Sequence, residues 1–551
     1  MTLTAPAAAP ISAAPPPHPD GLRQSLIDRL TSPGGLFLSA VMLALAFPIT
    51  SAIRDPDFWW HLRSGQLILQ SGALLRTDPF TYTVGNHAWT MHEWLTEVLF
   101  AALYRWGDLS AVVLALSVVT WLGVLCVFLR SRMDRPGPFV LGGGMVLAVI
   151  AGYPIWGPRA QMITFALACL VLLLTERHLR SGGRLSWLLV PVFLVWSNLH
   201  SGFVIGLGFM AVVLAAEGLA HLLHLDGRAP ARRVRSLGVL LGACLLISAV
   251  NLNGPSIILY PLATQGSPAQ QSLILEWHSP DFHDWSVRCF GLILLSLVAL
   301  IVVNRAIRLR DAALVLATVV LSFQSVRHIA LFVAAATPVW ITQADMLLQR
   351  LRTRPQRRSS LPPAPVRVVT WLLLCAAVLG VFLGSRLIPA MRTQEDSLVY
   401  AQDYPVCAAR WLAADPLPLH IFNQYGEGGY LAYRLSAHGD RVFVFGDAAL
   451  MGDALLYSYG DVETVSPHWD AILRNSGTDV VVFDTNAPLS NVIAQARDWV
   501  QVYSDPRNVA FAPRDRVAQL RLPPQPVFTG TGDTCTALVH TPSSQLDQGP
   551  G

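Results

Sequence analysis

Long apolar stretches recur along the chain and constrain its fold more than any other feature. A helix needs about 20 mainly apolar residues to cross the hydrocarbon core of a bilayer. Such stretches lie at 35–53, 109–129, 138–155, 161–177, 185–199, 202–223, 237–252, 289–304, 312–326, 328–346 and 367–387. Of the 551 residues only 13% are charged, about half the share of an average soluble domain. The sequence therefore predicts an all-α polytopic membrane domain of about 11 transmembrane helices at 35–388.

The arginines predict how this domain is oriented. The chain contains no lysine, which excludes Schiff-base catalysis and a P-loop. Arginines cluster at 130–135, 177–184, 228–235, 305–310 and 350–358. With the spans given above, every cluster falls on the same side as the N-terminal tail. We expect the protein in the inner or plasma membrane of the cell. The positive-inside rule then predicts that the N-terminus lies in the cytoplasm and that the C-terminal part lies outside.

The remaining segments divide the chain further. Residues 1–34, rich in Ala and Pro, are expected to form a disordered cytoplasmic tail without a cleaved signal. A large first outer loop spans 54–108. Residues 389–515 contain no long apolar run, and their pattern predicts a small extracytoplasmic α/β domain. Residues 516–551 are expected to form a loosely ordered tail. The elements expected in this domain are strands at 419–423, 441–445 and 479–483, helices at 428–435 and 488–498, and a hairpin at 499–512.

Three features of the C-terminal part bear on function. Cys407 and Cys535 can form a disulfide there, provided that this side of the membrane is oxidising. The glycine-rich segment at 425–429 either binds an anion at a helix start or forms a plain tight turn. Gly446 and Asp447 follow a predicted strand, where ligands of α/β domains often sit. None of these features assigns a reaction.

Polar side chains gather at the predicted outer ends of the spans. They are Asp55, Asp57, His61, His92, Glu93, Arg159, Gln161, Asn198, His200, Glu276, His278, Arg327 and His328. An ionisable group at membrane depth costs about 2.5–3.5 kcal/mol. One interpretation is that each group separately reaches the lipid headgroups or caps a helix. The mixture of acids, bases and amides on one side only favours a shared hydrated cavity.

Asp55 and Asp57 are the most informative of these residues, because they flank Pro56 directly after the first span. Proline stiffens this segment and keeps the preceding residue extended. Two close carboxylates share a proton or a divalent cation such as Mg or Mn, although Asp-Pro also begins ordinary turns. Beyond them, 58–70 is expected to form a helix along the membrane surface, followed by a second at 93–106.

This layout resembles the GT-C superfamily of polyprenyl-phosphate-sugar-dependent membrane glycosyltransferases. That family includes oligosaccharyltransferase catalytic subunits, protein O-mannosyltransferases and lipid A aminoarabinose transferases. The match lies in the acidic residues after the first span, the large outer loop and the outer C-terminal domain. The strings D-P-D-F-W-W-H-L at 55–62, T-D-P-F at 77–80 and H-E-W-L at 92–95 resemble a group of bacterial GT-C-like membrane proteins. The chain lacks the W-W-D motif of oligosaccharyltransferases, which argues against their acceptor class.

The resemblance implies transfer of a sugar from a polyprenyl phosphate to a glycan, lipid or protein acceptor at the outer face. Asp57 or Asp55 would be the general base. Arg159 and Arg327, with His200 or His328, would stabilise the departing phosphate. Glu93, His92 and Glu276 would position the sugar or complete a metal site, with Asp55, Asp57 and Glu93 as its carboxylate ligands. The partners implied are the lipid bilayer and the lipid-linked sugar, with no nucleic acid.

Two other classes of function stay open. A transporter or flippase would usually show inverted repeats and polar groups at mid-membrane, and neither is visible in the sequence. In a non-catalytic scaffold the outer acids and histidines would be dispensable.

Overall fold

The computed structural model describes residues 27–85, 87–351, 362–389, 404–524, 527–528, 535 and 538–539. Most of the predicted cytoplasmic tail, the start of the predicted outer domain and much of the predicted C-terminal tail lie outside these residues. Within them, a bundle of apolar helices carries a small mixed sheet at one end. The chain is thus a multi-pass membrane protein with a helical domain and a small C-terminal sheet domain.

The helices of the bundle and its loops follow the apolar stretches of the sequence. They are α1 (Pro33–Ala44), α2 (Ala46–Ile49), α3 (Phe58–Ser71), α4 (Trp94–Ser131), α5 (Pro138–Ala151), α6 (Gln161–Ser181), α7 (Leu189–Leu199), α8 (Phe203–Leu222), α9 (Ala231–Ser248), α10 (Tyr260–Gln265), α11 (Pro268–Leu273), α12 (Trp285–Asn304), α13 (Leu309–Gln324), α14 (Ile329–Leu351) and α15 (Ala364–Phe382). Local sequence sets several starts. Ser32 caps α1 by accepting the Gly35 N–H at 3.1 Å, and Asp284 caps α12 by accepting the Ser286 N–H at 2.9 Å.

Each predicted span overlaps one of these helices. Six helical stretches of the described residues are long and apolar enough to cross a bilayer. They are Trp94–Asp134, Gln161–Ser181, Phe203–Leu222, Trp285–Asn304, Val326–Leu351 and Ala364–Leu387. Three shorter apolar helices lie at Pro33–Ile49, Pro138–Ala151 and Leu185–Leu199. The number of eleven crossings therefore stays a prediction, whereas the polytopic helical fold is confirmed.

The outer half of α4 begins as the predicted second loop helix. The helix runs on from Trp94 into the membrane stretch but breaks at Gly107 and Asp108, where the Asp108 φ is 52°. This left-handed conformation is uncommon for a residue with a side chain, although Asp adopts it more readily than most. The break separates the loop part of α4 from its membrane part, so both predicted segments are present in one helix.

A buried network of ion pairs lies near the C-terminal end of α6, whereas Arg159 lies just before its N-terminal end. Arg310 pairs with Glu217 and, at 3.1 Å, with Glu176, while Arg308 Nη2 lies 2.9 Å from Asp134 Oδ1. Glu176, Glu217 and Arg310 are each at most 5% exposed. The arginine clusters of the sequence do not indicate this network, because its acidic members lie far from Arg310 in the chain. The network ties α6, α8 and α13 together at one end of the bundle.

The C-terminal domain contains a five-stranded sheet with the order β2-β1-β3-β5-β4. Its strands are β1 (His420–Asn423), β2 (Arg441–Val442), β3 (Val480–Asp484), β4 (Trp499–Ser504) and β5 (Asn508–Pro513), and β6 (Val527–Phe528) pairs with β7 (Leu538–Val539). β1 is parallel to β2 and β3, and β5 is antiparallel to β3 and β4. Val480, Val481 and Val482 are 0% exposed, and full burial of each contributes about 1.5–3 kcal/mol.

The remaining helices of this domain flank the sheet, and two predicted elements are shorter than expected. The helices are α16 (Val406–Leu412), α17 (Gly428–Leu435), α18 (Ala448–Glu463), α19 (Trp469–Asn475), α20 (Pro488–Ile493) and α21 (Val517–Leu520). The strand predicted at 441–445 ends at Val442. The Phe443 N–H still donates to Ile421 O of β1 at 2.8 Å, whereas Phe445 packs on Trp60 of α3. The helix predicted at 488–498 ends at Ile493. The hairpin and the Cys407–Cys535 disulfide are confirmed.

The first outer loop is part of the same outer unit as the sheet. Phe80 O accepts the Val442 N–H at 2.9 Å, and the Tyr82 N–H donates to Val442 O at 3.3 Å. The Tyr82 ring stacks on His420 at 4.4 Å. These contacts add residues 80–82 to the β2 edge, so loop and domain share one hydrophobic core.

α3 is covered by protein, and its orientation along the membrane surface stays a prediction. Trp59 is 1% and Trp60 3% exposed, because α3 is buried between α4 and α17. The mixed face predicted from sequence meets protein on both sides: the Trp59 ring lies 5.3 Å from that of Tyr430, and the Trp60 ring 5.4 Å from that of Phe445. α3 therefore joins the bundle to the sheet domain.

Candidate active site

Asp55 and Asp57 lie in the short segment between α2 and α3, where Pro56 limits the backbone. Asp55 Oδ1 accepts the Asp57 N–H at 3.3 Å, which fixes one carboxylate against the backbone of the other. The Trp60 Nε1–H, one turn into α3, donates to Asp57 Oδ1 at 3.2 Å. The local sequence thus builds a tight acidic turn whose two carboxyl groups are held by protein donors.

Arg159 links this turn to the loop between α11 and α12, which contains Glu276. Its Nη2 lies 3.8 Å from Asp55 Oδ1, and its Nη1 lies 2.8 Å from Glu276 Oε1. Arg327 lies over the Trp277 ring, with 4.8 Å between its Cζ and the ring centroid. Because these residues come from four separate segments, tertiary folding assembles a compact group of carboxylates and guanidiniums.

Burial sets the charge of this group. Burial first and the neighbouring Asp55 second raise the pKa of Asp57 from 3.8 to about 8. Burial also raises the pKa of Asp55, although Arg159 opposes the change. For Glu276 burial acts in the same direction, but Arg159 and Arg327 outweigh it and lower the pKa. Asp57 therefore titrates near neutral pH, which is the range in which a general base works best.

A second cluster surrounds Glu93. His92 Nε2 lies 2.9 Å from Glu93 Oε1, His200 Nε2 lies 3.4 Å from the same oxygen, and His61 Nε2 lies 3.6 Å from Oε2. His61 Nδ1 also lies 3.3 Å from Glu97 Oε1. The His200 Nδ1 accepts the Gly202 N–H at 2.8 Å, so in its neutral form His200 carries its proton on the nitrogen that faces Glu93.

The imidazoles keep Glu93 ionised. Burial alone would raise its pKa, but His200, His61 and His92 together lower it. Burial lowers the pKa of His61 and of His200 to about 4, despite the attraction of Glu93. Burial also opposes the charged form of His92, yet its contact with Glu93 raises the pKa. The contact with Glu93 thus favours the charged form of His92, whereas burial favours the neutral forms of His61 and His200.

The other predicted site residues have local roles. Asn198 Oδ1 accepts the Trp94 Nε1–H at 3.0 Å, which fastens α7 to α4. His278 is exposed and its Nε2 lies 3.2 Å from Ser272 O, while the His328 Nδ1 lies 3.1 Å from Leu321 O. Gln161 is the first residue of α6, two positions after Arg159.

The predicted metal site is not assembled as a three-carboxylate group. Asp55 and Asp57 lie together, whereas the direct contacts of Glu93 are with the three imidazoles. Across the part of the chain that the structure describes, no group of three or more His, Cys, Asp or Glu residues is arranged to hold a metal ion. The residues present fit at most a cation shared between the Asp55–Asp57 pair and a ligand.

A polar cavity of about 420 Å³ opens beside Asp55 and Arg159. It is lined by Phe47, Pro48, Thr50, Ser51, Arg54, Asp55, Tyr153, Pro154, Ile155, Trp156, Gly157, Pro158, Arg159, Asp284, Trp285, Ser286 and Arg386. Arg54 and Arg386 were not predicted as site residues. Arg54 directly precedes Asp55 and could have been chosen on that ground, whereas Arg386, at the end of the last apolar helix, carries no local signal.

An apolar groove of about 150 Å³ adjoins this cavity, and Thr50 lines both. The groove lies between α1, α4 and α15 and is lined by Leu43, Ala46, Thr50, Leu114, Ser117, Val118, Trp121, Leu379, Phe382 and Leu387. These helices belong to the membrane bundle, so the groove offers an apolar chain a path from the lipid to the polar cavity.

The outer domain supplies residues that were not included in the predicted site. The Asp447 carboxylate accepts the Trp89 Nε1–H at 2.8 Å and influences His92 and Glu93 electrostatically. Gly446 contacts the Asp57 carboxyl group. The sequence placed both at the end of a strand but gave no reason to bring them to the first loop.

Comparison with solved structures supports the fold. The archaeal oligosaccharyltransferase AglB from Archaeoglobus fulgidus, in complex with an inhibitory peptide and a dolichol-phosphate, is similar over 81% of this chain and 69% of its own, with a TM-score of 0.51 and 12% identity. ArnT from Cupriavidus metallidurans in the apo state covers 89% of this chain and 98% of its own at a TM-score of 0.48 and 14% identity. Arabinofuranosyltransferase AftD from Mycobacteria covers 86% and 41% at a TM-score of 0.43 and 15% identity.

No protein-family model matches the sequence, and no curated protein matches it either. At 12% identity the likeness to AglB concerns the fold alone. The likeness to AglB supports the predicted fold, a bundle of membrane helices followed by a C-terminal domain.

Proposed function

We propose that the protein is a glycosyltransferase that moves a sugar from a polyprenyl phosphate to an acceptor hydroxyl. The observation that carries this proposal is the junction of the polar cavity, which holds Asp55 and Arg159, with the apolar groove of the bundle. A lipid phosphate is the ligand class that needs both surfaces at once. AglB, which shares the fold, was solved with a dolichol-phosphate.

The proposed step is a direct displacement. Asp57, or Asp55, takes the proton of the acceptor hydroxyl, whose oxygen forms a bond to the anomeric carbon. The bond between that carbon and the phosphate oxygen breaks, and the polyprenyl phosphate leaves with the electron pair. In this proposal Arg159 stabilises the leaving phosphate, because guanidinium groups bind phosphate oxygens through paired donors. A correctly placed base contributes roughly 10²–10⁴ in rate.

A divalent cation is part of the proposal only at the Asp55–Asp57 pair. Mg²⁺ is commonly held by one or two carboxylates together with substrate phosphates. When bound there, it would supply positive charge to the leaving phosphate. We propose further that the protein lies in the inner or plasma membrane with the N-terminus in the cytoplasm, which places the cavity and the sheet domain outside.

The test uses the purified protein in lipid nanodiscs with polyprenyl phosphates that carry radiolabelled hexoses or pentoses. Cell-envelope extract supplies acceptors, and release of free polyprenyl phosphate reports transfer. We expect Asp57→Asn and Asp55→Asn to lower release by 10²-fold or more. The exposed Asp281, 70% of whose side chain is accessible, provides the matched control Asp281→Asn, which should keep wild-type release.

Wild-type release from both site variants would contradict the enzyme proposal and favour a flippase or a scaffold. A parallel series with EDTA tests the cation. Loss of release on chelation, restored by added Mg²⁺ or Mn²⁺, supports a metal at the acidic pair, and unchanged release contradicts it.

A further inference from the structure

A long part of the chain around α10 and α11 carries no charge. The sequence has no Asp, Glu, Arg, Lys or His between Arg235 and Glu276. α9 accounts for the first half of this stretch, and residues 249–275, the charge-free segment, contain only the short helices α10 and α11 joined by turns. Protein surfaces that face water usually have charged side chains at about a quarter of their positions or more. A loop of this length without a charge is therefore unusual in water.

One face of the charge-free segment packs into the membrane bundle. Ile257 is 0% exposed and belongs to the same hydrophobic core as Leu240 of α9. Asn251 Nδ2 donates to Ser197 O of α7 at 2.6 Å. The segment is thus held directly against the bundle helices instead of standing away from them.

The opposite face is apolar, and no part of the chain that the structure describes covers it. Four leucines of the segment are 56–78% exposed: Leu252, Leu259, Leu262 and Leu275. Leu259 directly precedes α10 and Leu262 lies within it, and residues three apart share one face of a helix. Single exposed leucines are normal on a protein surface, but a group of them in a charge-free segment indicates an interaction site.

The exposed face continues, along the chain, into helices of the bundle that expose apolar side chains. Before the segment, Leu246 of α9 is exposed, and after it Leu292 and Leu295 of α12 are exposed. α12 is long and apolar enough to cross a bilayer, so its exposed leucines face acyl chains. Trp285, the exposed first residue of α12, is of the type common at the level of lipid headgroups. This continuity favours lipid over a partner protein as the occupant of the face.

We propose that the charge-free segment lies in the membrane leaflet on the side of the sheet domain, with Leu259 and Leu262 among the upper acyl chains of its lipids. Interfacial helices bury their apolar face about 5–10 Å into the boundary between headgroups and acyl chains. The inference goes beyond sugar transfer and does not depend on it.

In this arrangement the segment connects the lipid surface with both the candidate active site and the sheet domain. Glu276, the residue directly after it, lies 2.8 Å from Arg159. The Ser267 hydroxyl donates to the Asp453 carboxylate of α18, so the start of α11 is fastened to the sheet domain. Lipid contact at α10 therefore fixes the height of the sheet domain above the bilayer.

The test uses phospholipids with a photoreactive diazirine, placed either on an upper carbon of an acyl chain or at the end of the chain. The wild-type protein, one copy in each nanodisc, is irradiated, and mass spectrometry locates the lipid adducts. Digestion is with chymotrypsin or pepsin, because trypsin has no site between Arg235 and Arg288. No substrate is needed.

The upper-chain probe should label the peptide that contains Leu259 and Leu262 about ten-fold more than the peptide around Leu417, an exposed leucine of the sheet domain. The chain-end probe should label Leu295, in the middle of α12, more than the charge-free segment, because an interfacial helix does not reach the bilayer centre. Adducts at Leu295 also show that the protein is inserted in the bilayer.

A double variant tests the two leucines of α10. Leu259→Glu combined with Leu262→Glu should lower the adducts in the segment about ten-fold, because ionised groups are costly among acyl chains. Labelling of Leu295 should not change. Leu417→Glu is the matched control and should leave both sets of adducts at the wild-type level. If the double variant does not fold, the labelling of the wild type decides.

Adducts at Leu295 without adducts in the charge-free segment would overturn the inference, because the segment would then face water. Nanodiscs that hold two copies test another occupant. Equal labelling of the segment with one copy and with two supports lipid, whereas adducts that vanish with two copies would show that a second copy covers the face, which also overturns the inference. Sugar transfer is scored separately by release of polyprenyl phosphate, so either proposal can fail without the other.

Discussion

Asp57→Asn should stabilise the folded protein at alkaline pH although it removes the proposed base. Burial, then Asp55, raises the pKa of Asp57 from 3.8 to about 8. Below pH 3.8 the folded and unfolded states both hold the proton, so the group contributes nothing. As the pH rises further, the unfolded chain releases a proton that the folded chain keeps, and the free energy of unfolding falls until about pH 8. At ~1.36 kcal/mol per pKa unit, the full loss is about 6 kcal/mol.

The assay is thermal unfolding of the nanodisc-embedded protein between pH 5 and pH 9, followed by tryptophan fluorescence. Part of the loss has occurred by pH 5, so the advantage of Asp57→Asn over the wild type should grow by about 4 kcal/mol across this range. In a protein of this size that corresponds to on the order of several degrees in Tm. Asp281→Asn, at an exposed position, should follow the wild-type curve.

Tm values of Asp57→Asn and the wild type that fall in parallel from pH 5 to pH 9 would refute the raised pKa of Asp57. That result would mean that the Asp57 carboxyl is already ionised in the folded protein at neutral pH. A gain of equal size in Asp281→Asn would also refute it, because the effect would then be one of net charge.

Three further predictions concern binding and stability. Arg159→Gln should abolish the thermal stabilisation that an added polyprenyl monophosphate gives the wild type, since Arg159 is the guanidinium beside Asp55 in the polar cavity; an unchanged shift would place the phosphate elsewhere. Cys407→Ser should destabilise the outer domain by about 5 kcal/mol in denaturant titrations, because the disulfide to Cys535 closes a loop with a sequence separation of 128. Reduction of the disulfide in the wild type should lower the stability by the same amount. Arg310→Ala should lower the free energy of unfolding in denaturant by about 3–5 kcal/mol, since it leaves Glu217 buried without its counter-charge. An Arg310→Ala protein as stable as the wild type would contradict a buried ion-pair network.

Much of the fold could be predicted because its signals are local. Apolar length marks the helices of the bundle, since lipid offers no partner for an exposed backbone. The apolar runs at 419–423 and 479–483 predict β1 and β3, because most residues of these strands are buried in the sheet domain. The predicted site residues that converge, such as Asp55, Arg159 and Glu276, were found because a charge at membrane depth needs a partner.

The errors have a common cause in contacts between distant segments. α3 shows a mixed face in sequence, but only the folded chain reveals that α17 covers it. Residues 443–445 look like a strand because they are apolar, yet Phe445 packs against Trp60 of α3 instead of continuing the ladder of β2. Glu176 and Glu217 lie more than ninety residues before Arg310 in the chain, and only the tertiary structure brings the three side chains together.

The sequence by itself determined the helical membrane bundle, the acidic turn after its first helix and the separate C-terminal domain, because hydrophobic length and turn chemistry are encoded within a few residues. The tertiary structure decided which groups meet: Gly446 against Asp57, three imidazoles around Glu93, and an apolar groove that opens into the polar cavity. The first of these contacts depends on the docking of the sheet domain onto the first loop. Burial there raises the pKa of a carboxyl group that the sequence shows only as an ordinary aspartate.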